Sequence, residues 1–266
     1  METPICIACG TQFTPSDAPP AACPICDDPR QYVPPDGQRW TTFTELAGSH
    51  ANEIRDDGGL VGIGTSPSFA IGQRALLVPY GDANLLWDCV SLLDESTAAA
   101  VEARGGLAGI AISHPHYYSS MVEWAQRFDC PIHLHAADAE WVMRPDPAVR
   151  HWDGELLDLG HGITLIRGGG HFPGGAMLHQ ADGAGRLLTG DIIQVIPDRT
   201  HVGFMWSYPN LVPLPDADVQ RIAAAVEPFA FASIHGAWWG RVIPGDAKDV
   251  VRRSAARYTR ALRGAP

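Results

Sequence analysis

The sequence predicts an α+β protein in which two mixed sheets carry helices on their outer faces and a small cysteine-rich module precedes them. Three observations predict this fold class. From Trp40 onwards, short β-like runs bounded by turn residues follow one another, which is typical of a meandering sheet. A capped helix comes next, and strand-like runs and helical spacings then alternate to the end of the chain. Before Trp40, two cysteine pairs lie among many prolines, which exclude a long helix.

The individual elements follow from apolar spacing and turn residues. Strands are predicted at 60–64, 69–71, 75–79, 85–90, 107–113, 132–135, 163–167, 176–180, 186–190 and 229–235. Helices are predicted at 95–104, 121–128, 219–226 and 251–262. Asp94 and Gly105 delimit the first of these helices, because they are favourable N-cap and C-cap residues.

Length, charge and targeting signals limit the class of protein. The 266 residues fit one large domain, predicted at 39–266, with a small module at 1–38. The 30 acidic residues outnumber the 19 lysines and arginines, and the net charge of −11 makes nucleic acid an unexpected partner. No apolar run reaches the roughly 18 residues of a membrane span, and the N-terminal sequence METPICIACG lacks the pattern of a signal peptide. These features predict a cytoplasmic protein with no membrane partner.

Four cysteines form the pattern C-x2-C, thirteen residues, C-x2-C. They are Cys6, Cys9, Cys23 and Cys26. Four thiolates at about 2.3 Å make the closed tetrahedral shell of structural zinc, so we expect a zinc-ribbon-like module that serves folding or docking. Two disulfides or unliganded thiols are alternatives. Iron in place of zinc is another, because the knuckles are similar to those of rubredoxin. Cys89 and Cys130 stand in apolar runs and are expected to be core residues.

Several histidines and one aspartate come directly after predicted strands or at their ends. They are His114, His116, His171, Asp191 and His235. A lone histidine at a strand end is more often a hydrogen-bonded structural residue, so the prediction depends on the whole set. Imidazoles with one carboxylate suit zinc or ferrous iron, and three or four such ligands leave an open position for water or substrate. The sequence therefore predicts a metal site of the catalytic type.

A second H-x-H pair, His133 and His135, competes for this role. Both rings would lie on one face of a short strand, but no late ligand in the sequence matches them. We interpret this pair as surface residues or as hydrogen-bonding neighbours of the ligands.

Four short motifs surround the predicted ligands: S-H-P-H at 113–116, G-H-F-P-G at 170–174, T-G-D at 189–191 and I-H-G at 234–236. In this order they resemble the metallo-β-lactamase superfamily, and the resemblance covers approximately residue 55 to the C-terminus. It implies an αββα sandwich with the site at one edge of the sheets, as in glyoxalase II-like metallo-hydrolases. It also implies that His114, His116, His171 and Asp191 are the ligands of the first metal ion.

One departure from the family pattern bears on the metal count. The family motif H-x-H-x-D-H reads H-P-H-Y-Y-S here, so that Tyr118 and Ser119 replace two ligands of the second metal ion in binuclear relatives. His235 and a shared Asp191 are too few to hold a second ion, because a stable site needs three or four protein ligands. The sequence therefore predicts a mononuclear site. The Tyr118 phenol and the Ser119 hydroxyl are expected to hydrogen-bond a substrate oxyanion or the activated water.

The resulting hypothesis is a hydrolase of a small ester, lactone or thioester that uses one zinc or iron ion. Asp191 is expected to bind the metal or accept a proton, His235 to assist the leaving group or the oxyanion, and Tyr118 to donate a hydrogen bond. Two alternatives remain open. One is a mononuclear iron enzyme similar to the superfamily's persulfide dioxygenases, and the other is a metal-binding protein of the same fold without catalysis.

Overall fold

The computed structural model describes residues 2–264. Within this range it has six α-helices: α1 (Pro24–Asp27), α2 (Phe43–Ala47), α3 (Glu95–Glu102), α4 (Met121–Phe128), α5 (Asp216–Val226) and α6 (Ala247–Leu262). The strands of the same range are β1 (Ile5–Cys6), β2 (Trp40–Thr41), β3 (Ala51–Asp56), β4 (Val61–Ser66), β5 (Arg74–Tyr80), β6 (Ala83–Trp87), β7 (Leu107–Ala111), β8 (Ile132–His135), β9 (Val149–Trp152), β10 (Leu156–Gly160), β11 (Ile163–Arg167), β12 (Ala176–Gln180), β13 (Arg186–Gly190), β14 (Gln194–Val195), β15 (Val202–Gly203), β16 (Met205–Ser207), β17 (Val212–Pro213), β18 (Ser233–Gly236) and β19 (Val242–Pro244).

Two mixed sheets form the body of the protein. The first has seven strands in the order β3-β4-β5-β6-β7-β8-β9, antiparallel up to β6 and parallel from there on. The second has six strands in the order β10-β11-β12-β13-β18-β19, with one parallel pair, β13 and β18. Sequence-adjacent strands therefore pair by short turns in the first half of each sheet, and helical crossovers supply the parallel pairs.

Three apolar layers hold the sheets and helices together. Between the sheets, side chains of β5 and β6 such as Leu76 and Trp87 pack against Leu165, Leu178 and Leu188 of the second sheet. Helices α3 and α4 bury their apolar faces on the first sheet, and helices α5 and α6 bury theirs on the second. The result is an αββα sandwich, which confirms the predicted fold class.

The amphipathic helix α4 shows how sequence spacing produces one of these layers. Met121, Val122, Trp124 and Ala125 are buried against the first sheet, and the Trp124 indole N–H donates to the backbone oxygen of Val90 at 3.0 Å. The helix ends at Asp129, whose φ of 48° is the left-handed conformation common at helix ends. Because α4 follows directly on residues 114–120, its burial fixes the loop that carries the first two histidines.

The N-terminal module packs against this body. Its strand β1 pairs with β2, so the paired segment continues to Thr41, beyond the predicted boundary at residue 38. Hydrogen bonds attach the module to loops of the sandwich: the Gln12 N–H donates to the Ser119 oxygen at 3.0 Å, and the Ser91 hydroxyl donates to the Gly10 oxygen at 2.8 Å.

The predicted strands differ from the structure in several places, and two of the differences are instructive. The run at 69–71 is a turn and not a strand: Ala70 has a φ of 53° and the Gly72 N–H donates to the Phe69 oxygen at 3.0 Å. Three apolar residues beside a glycine are too few to impose an extended backbone. The edge strand β3 was not predicted, because its only apolar side chain beyond alanine is that of Ile54. Among the residues that the structure describes, no helix combines the length and apolar character needed to cross a bilayer.

Candidate metal centre

Three of the predicted ligands, His114, His116 and His171, converge at one edge of the sandwich. Each offers one ring nitrogen to a common point, with these atoms all within 4.8 Å of one another. The closest pair is His116 Nδ1 and His171 Nε2, 3.1 Å apart. All three rings are buried, although histidine is on average only partly buried in proteins.

Asp191 stands next to this cluster, directly after β13. Its Oδ1 lies 3.3 Å from His114 Nε2, and its Oδ2 accepts a hydrogen bond from the Tyr117 hydroxyl at 3.0 Å. The Tyr208 hydroxyl donates to the backbone oxygen of Asp191 at 2.6 Å. The preceding Gly190 has a φ of 54°, and a Cβ there would lie 2.5 Å from the Ser113 hydroxyl oxygen. Only glycine lets β13 approach the His114 loop this closely.

Hydrogen bonds behind the rings determine which nitrogen faces the centre. His171 donates through Nδ1 to the Trp206 backbone oxygen at 2.6 Å, which leaves the Nε2 lone pair directed at the cluster. His114 Nδ1 shares a hydrogen bond of 2.9 Å with the Ser113 hydroxyl, and its Nε2 faces Asp191. The backbone N–H of Ser113 in turn donates to Asp88 Oδ1 at 2.8 Å. Asp88 thus orients the residue before His114 and no imidazole directly.

The donor set fits a divalent cation. His114 Nε2 and Asp191 Oδ1 are buried and have no hydrogen-bond partner within residues 2–264, although such groups are normally satisfied. Three imidazole nitrogens and one carboxylate oxygen are the ligands that zinc and ferrous iron accept. A bound ion would satisfy both orphaned atoms together.

Burial sets the protonation of the ligands. It lowers the pKa values of His114 and His116 well below the usual value and that of His171 to about 4, so that all three rings are neutral near pH 7. Burial also raises the pKa of Asp191 to about 7, with the nearby Asp88 charge adding to the rise and the Tyr117 hydrogen bond opposing it. A cation beside Asp191 would favour its carboxylate form.

The two residues at the altered motif positions lie apart from Asp191. Tyr118 is buried and lines a small cavity of about 10 Å³ between the module and α4, together with Gln12 and Met143. The Ser119 hydroxyl donates to the Cys89 backbone oxygen at 3.2 Å and accepts from the Gln73 side chain at 3.1 Å. The phenol that reaches the carboxylate of Asp191 is that of Tyr117, the residue before the predicted one.

His235 lies at the end of β18, with its ring fully buried. Its Nδ1 has no partner among the described residues, and Gly58 packs against the ring: a Cβ on that glycine would be 3.1 Å from the His235 Cε1. Burial and the positive charges of Arg74 and Arg186 lower the pKa of His235 to about 4, so this ring too is neutral near pH 7.

Arg74 is a component of this region that the sequence reasoning missed. Its side chain is fully buried, and its Nε donates to Asp57 Oδ2 at 2.6 Å. Neither terminal nitrogen has a hydrogen-bond partner within residues 2–264. Burial lowers the pKa of Arg74, while the charges of Asp57 and Asp88 act in the opposite direction. The available signal was an arginine at the start of an apolar strand. Because a buried charge seldom lacks a partner, such an arginine indicates a buried acidic residue nearby.

The competing pair His133 and His135 lies elsewhere. His135 Nε2 donates to the Gly154 backbone oxygen at 3.0 Å, and its Nδ1 accepts from the Ala137 N–H at 3.1 Å. Both nitrogens of His135 are therefore satisfied without a metal ion.

The four cysteines of the module form a second cluster, fully enclosed. The sulfur atoms of Cys6 and Cys26 are 3.6 Å apart, and those of Cys9 and Cys23 are 3.7 Å apart. A tetrahedron with metal–sulfur bonds of about 2.3 Å has sulfur–sulfur edges of about 3.8 Å, so the spacing fits one ion with four thiolates. All four sulfur ligands lie within 4.8 Å of one another.

Comparisons with known proteins agree with this architecture. No family model matches the sequence. Among curated proteins, the uncharacterized protein YmaE of Bacillus subtilis (strain 168) is 47% identical over 264 residues, which is 97% of this chain and 96% of YmaE. The alignment spans nearly the whole length of both proteins.

Solved structures with the same fold are distant in sequence. The metallo-β-lactamase FIM-1 from Pseudomonas aeruginosa in its mono-zinc form is 13% identical, with a TM-score of 0.58 over 78% of this chain and 96% of that one. A metallo-β-lactamase from Hirschia baltica is 16% identical, with a TM-score of 0.55 over 78% and 97%. TTHA1623 in a di-iron-bound form is 20% identical, with a TM-score of 0.51 over 69% and 94%. The solved structures show that the chain has the metallo-β-lactamase fold, as its sandwich and histidine cluster indicate. The 47% identity with YmaE shows that the chain belongs to the same family as YmaE.

Proposed function

We propose that the protein is a metal-dependent hydrolase of a small ester, lactone or thioester, with one ion bound by His114, His116, His171 and Asp191. The observation that carries the proposal is the orphaned pair His114 Nε2 and Asp191 Oδ1, 3.3 Å apart and buried beside two further imidazoles. Such an arrangement costs free energy unless a cation or a proton joins the groups. The four-cysteine cluster would hold a separate, structural zinc ion.

A metal ion bound by this set would polarise a substrate carbonyl and make water a nucleophile near neutral pH. The protein's own groups orient that chemistry. Tyr117 and Tyr208 fix the carboxylate and the backbone of Asp191, and we assign to Tyr117 the hydrogen-bonding role that the motif position suggested for Tyr118. The neutral ring of His235 would donate a hydrogen bond to the leaving group and would not protonate it, because its pKa is lowered to about 4.

Two features support a mononuclear centre. Tyr118 and Ser119, which replace ligands of the second ion, are engaged in the core and in hydrogen bonds to the backbone near Cys89. In addition, the buried guanidinium of Arg74 places a permanent positive charge close enough to Asp88 and His235 to shift their pKa values. A second divalent cation in that region would be repelled by this charge.

The ligand set does not distinguish zinc from iron, because both ions bind imidazole and carboxylate. FIM-1 was solved with one zinc ion and TTHA1623 with two iron ions, so this fold accommodates either metal. We propose zinc for the hydrolase, and we place the protein in the cytoplasm, where all six cysteines can stay unpaired as they are here.

A second candidate is a metal-binding protein that does not catalyse a reaction. The burial of the ligands favours it: none of the four is more than 4% exposed. A hydrolase with this structure would need a movement that opens the centre to its small-molecule substrate.

Metal analysis of the purified protein and of His171→Ala tests the proposal. We expect about two ions per chain in the unchanged protein and about one in the variant, with the thiolate-bound ion retained. His133→Ala is the matched control, since this histidine is outside the cluster, and it should keep both ions. Two ions in His171→Ala would refute the assigned centre. Turnover of esters, lactones or thioesters that is lost in His171→Ala supports the hydrolase, and its absence favours the second candidate.

A further inference from the structure

The segment that follows the last cysteine of the module reaches the metal centre. Helix α1 lies between Cys23 and Asp28, and the N–H of Asp28 closes it by donating to the Pro24 oxygen. The carboxylate of Asp28 then receives three hydrogen bonds from Arg30: from the backbone N–H at 2.9 Å, from Nε at 2.6 Å and from one terminal nitrogen at 2.9 Å. The direction of the Arg30 side chain is therefore set by Asp28, two positions after Cys26.

Arg30 contacts the loop that carries the third histidine. Its other terminal nitrogen donates to the backbone oxygen of His171 at 3.3 Å, and its guanidinium carbon lies 3.8 Å from the centre of the Phe172 ring. The side chain is only 11% exposed, so these contacts are shielded from water. A charged planar group stacked on an aromatic ring and bonded to a carbonyl holds that loop more firmly than an apolar contact would.

Residues 29–31 also hydrogen-bond to the loop whose backbone orients the His171 ring. The Ser207 hydroxyl donates to the Arg30 backbone oxygen at 3.0 Å, and the Asn210 amide donates to the oxygens of Pro29 and Gln31 at 2.9 and 3.0 Å. Ser207 directly follows Trp206, whose backbone oxygen accepts the Nδ1–H of His171. Both the backbone and the ring of His171 are thus connected to residues 29–31.

We propose that Arg30 is a positioning residue through which the four-cysteine module holds His171 in its metal-binding orientation, so that the two metal sites are coupled. An ion bound to the thiolates fixes Cys23 and Cys26, these fix α1 and Asp28, and Asp28 directs Arg30 onto His171 and Phe172. Loss of that ion releases the chain at its start. The inference rests on the metal centre of the proposed function and on no particular reaction.

The chain offers a matched control for this role. Arg144 also lies at the boundary between the module and the sandwich, where it donates to the Gln12 side chain and, at 2.6 Å, to Glu123. Its side chain is 13% exposed, close to the value for Arg30, but its hydrogen bonds go to neither a metal ligand nor a residue beside one. A purely structural role in docking the module predicts equal effects for the two arginines.

The test is the zinc affinity of the histidine centre in Arg30→Met and Arg144→Met, measured by chelator competition. Methionine keeps a long apolar side chain over Phe172 but removes the donors. We expect Arg30→Met to weaken binding about 10–100-fold, as for other groups that orient metal ligands, and Arg144→Met to change it by less than about threefold. With cobalt as the probe, the d–d absorption of the histidine centre should change in Arg30→Met only, whereas the thiolate-to-cobalt absorption of the module should stay in both.

A second arm tests the connection to the cysteines. Cys26→Ser should remove the thiolate-bound ion and weaken the histidine centre by a similar factor, and adding Arg30→Met to it should cause little further loss, because both changes break one chain of contacts. Equal zinc affinity in Arg30→Met and the unchanged protein, or equal losses in the two arginine variants, would overturn the inference while leaving the centre itself intact. Failure of the unchanged protein to bind metal at the histidines would overturn both the inference and the proposed function.

Discussion

The two neighbouring tyrosines at 117 and 118 allow a sharp test of how Asp191 is held. Both side chains are buried, at 0% and 2% exposure, but only the Tyr117 hydroxyl donates to Asp191, at 3.0 Å. Changing each to phenylalanine removes a single oxygen atom and keeps the ring. Packing losses should therefore be small and similar in the two variants, and the difference between them isolates the hydrogen bond.

The expected magnitude follows from the nature of that bond. A hydrogen bond to a charged group contributes about 1.5–3 kcal/mol, and without it the buried Oδ2 of Asp191 loses its partner. Part of this free energy orients the carboxylate toward the metal. We expect Tyr117→Phe to weaken zinc binding at the histidine centre about 10–100-fold, equivalent to about 1.4–2.7 kcal/mol, and Tyr118→Phe to change it less than about threefold.

Chelator competition on the purified proteins measures the affinity, and urea denaturation of the metal-depleted proteins checks that both variants fold. The reasoning fails if Tyr118→Phe weakens metal binding more than Tyr117→Phe does. It fails equally if both variants bind zinc as the unchanged protein does, since the Tyr117 contact would then carry no free energy.

Two further predictions concern buried charges. Arg74→Met leaves the carboxylate of Asp57 without its arginine partner and should destabilise the fold by about 3–5 kcal/mol. The double variant Arg74→Met with Asp57→Asn should recover most of this loss. Equal losses of unfolding free energy for the single and double variants in urea titrations would contradict the pairing. Asp138 accepts a hydrogen bond from the Gly174 N–H, and burial raises its pKa from 3.8 to about 6. Because its folded-state pKa is above the unfolded value, Asp138 costs stability as the pH rises from about 4 to about 6. Asp138→Asn should therefore gain up to about 3 kcal/mol relative to the unchanged protein between pH 4 and pH 7, and a flat difference over that range would contradict the shift.

The parts of the fold with strong local signals were predictable from the sequence. Short segments with two or three apolar residues each, bounded by turn residues, predicted the bounds of β11, β12 and β13 without error. The N-cap role of Asp94 is also seen, because its carboxylate accepts from the Thr97 N–H at 2.7 Å. In contrast, the strand expected at 229–235 covers only Ser233–Gly236, because the apolar side chains before it pack as a loop on α5 and α6. Apolar content alone does not distinguish a buried strand from a buried loop.

The candidate site divides in the same way. The amino-acid types of the candidate ligands and their order along the chain were predictable from the sequence. Histidine and aspartate at strand ends, and paired cysteines in tight turns, are together typical of metal sites. The side-chain directions were not readable. Residues Pro115–Tyr117 form a turn of 3₁₀-helix, in which successive side chains point about 120° apart, so a shift of one residue decides whether Tyr117 or Tyr118 meets Asp191.

The sequence by itself determined the fold class, the two groups of candidate metal ligands and the absence of the usual aspartate and histidine at positions 118 and 119. Tertiary structure alone decided that Arg74 is buried beside Asp57 and that Arg30 of the module bonds to the backbone of His171, 141 residues away. The physical reason is that motifs and periodicities report interactions with near neighbours in the chain. A charge that the packing of two distant segments places beside a candidate metal ligand leaves no regular trace in the spacing of residues.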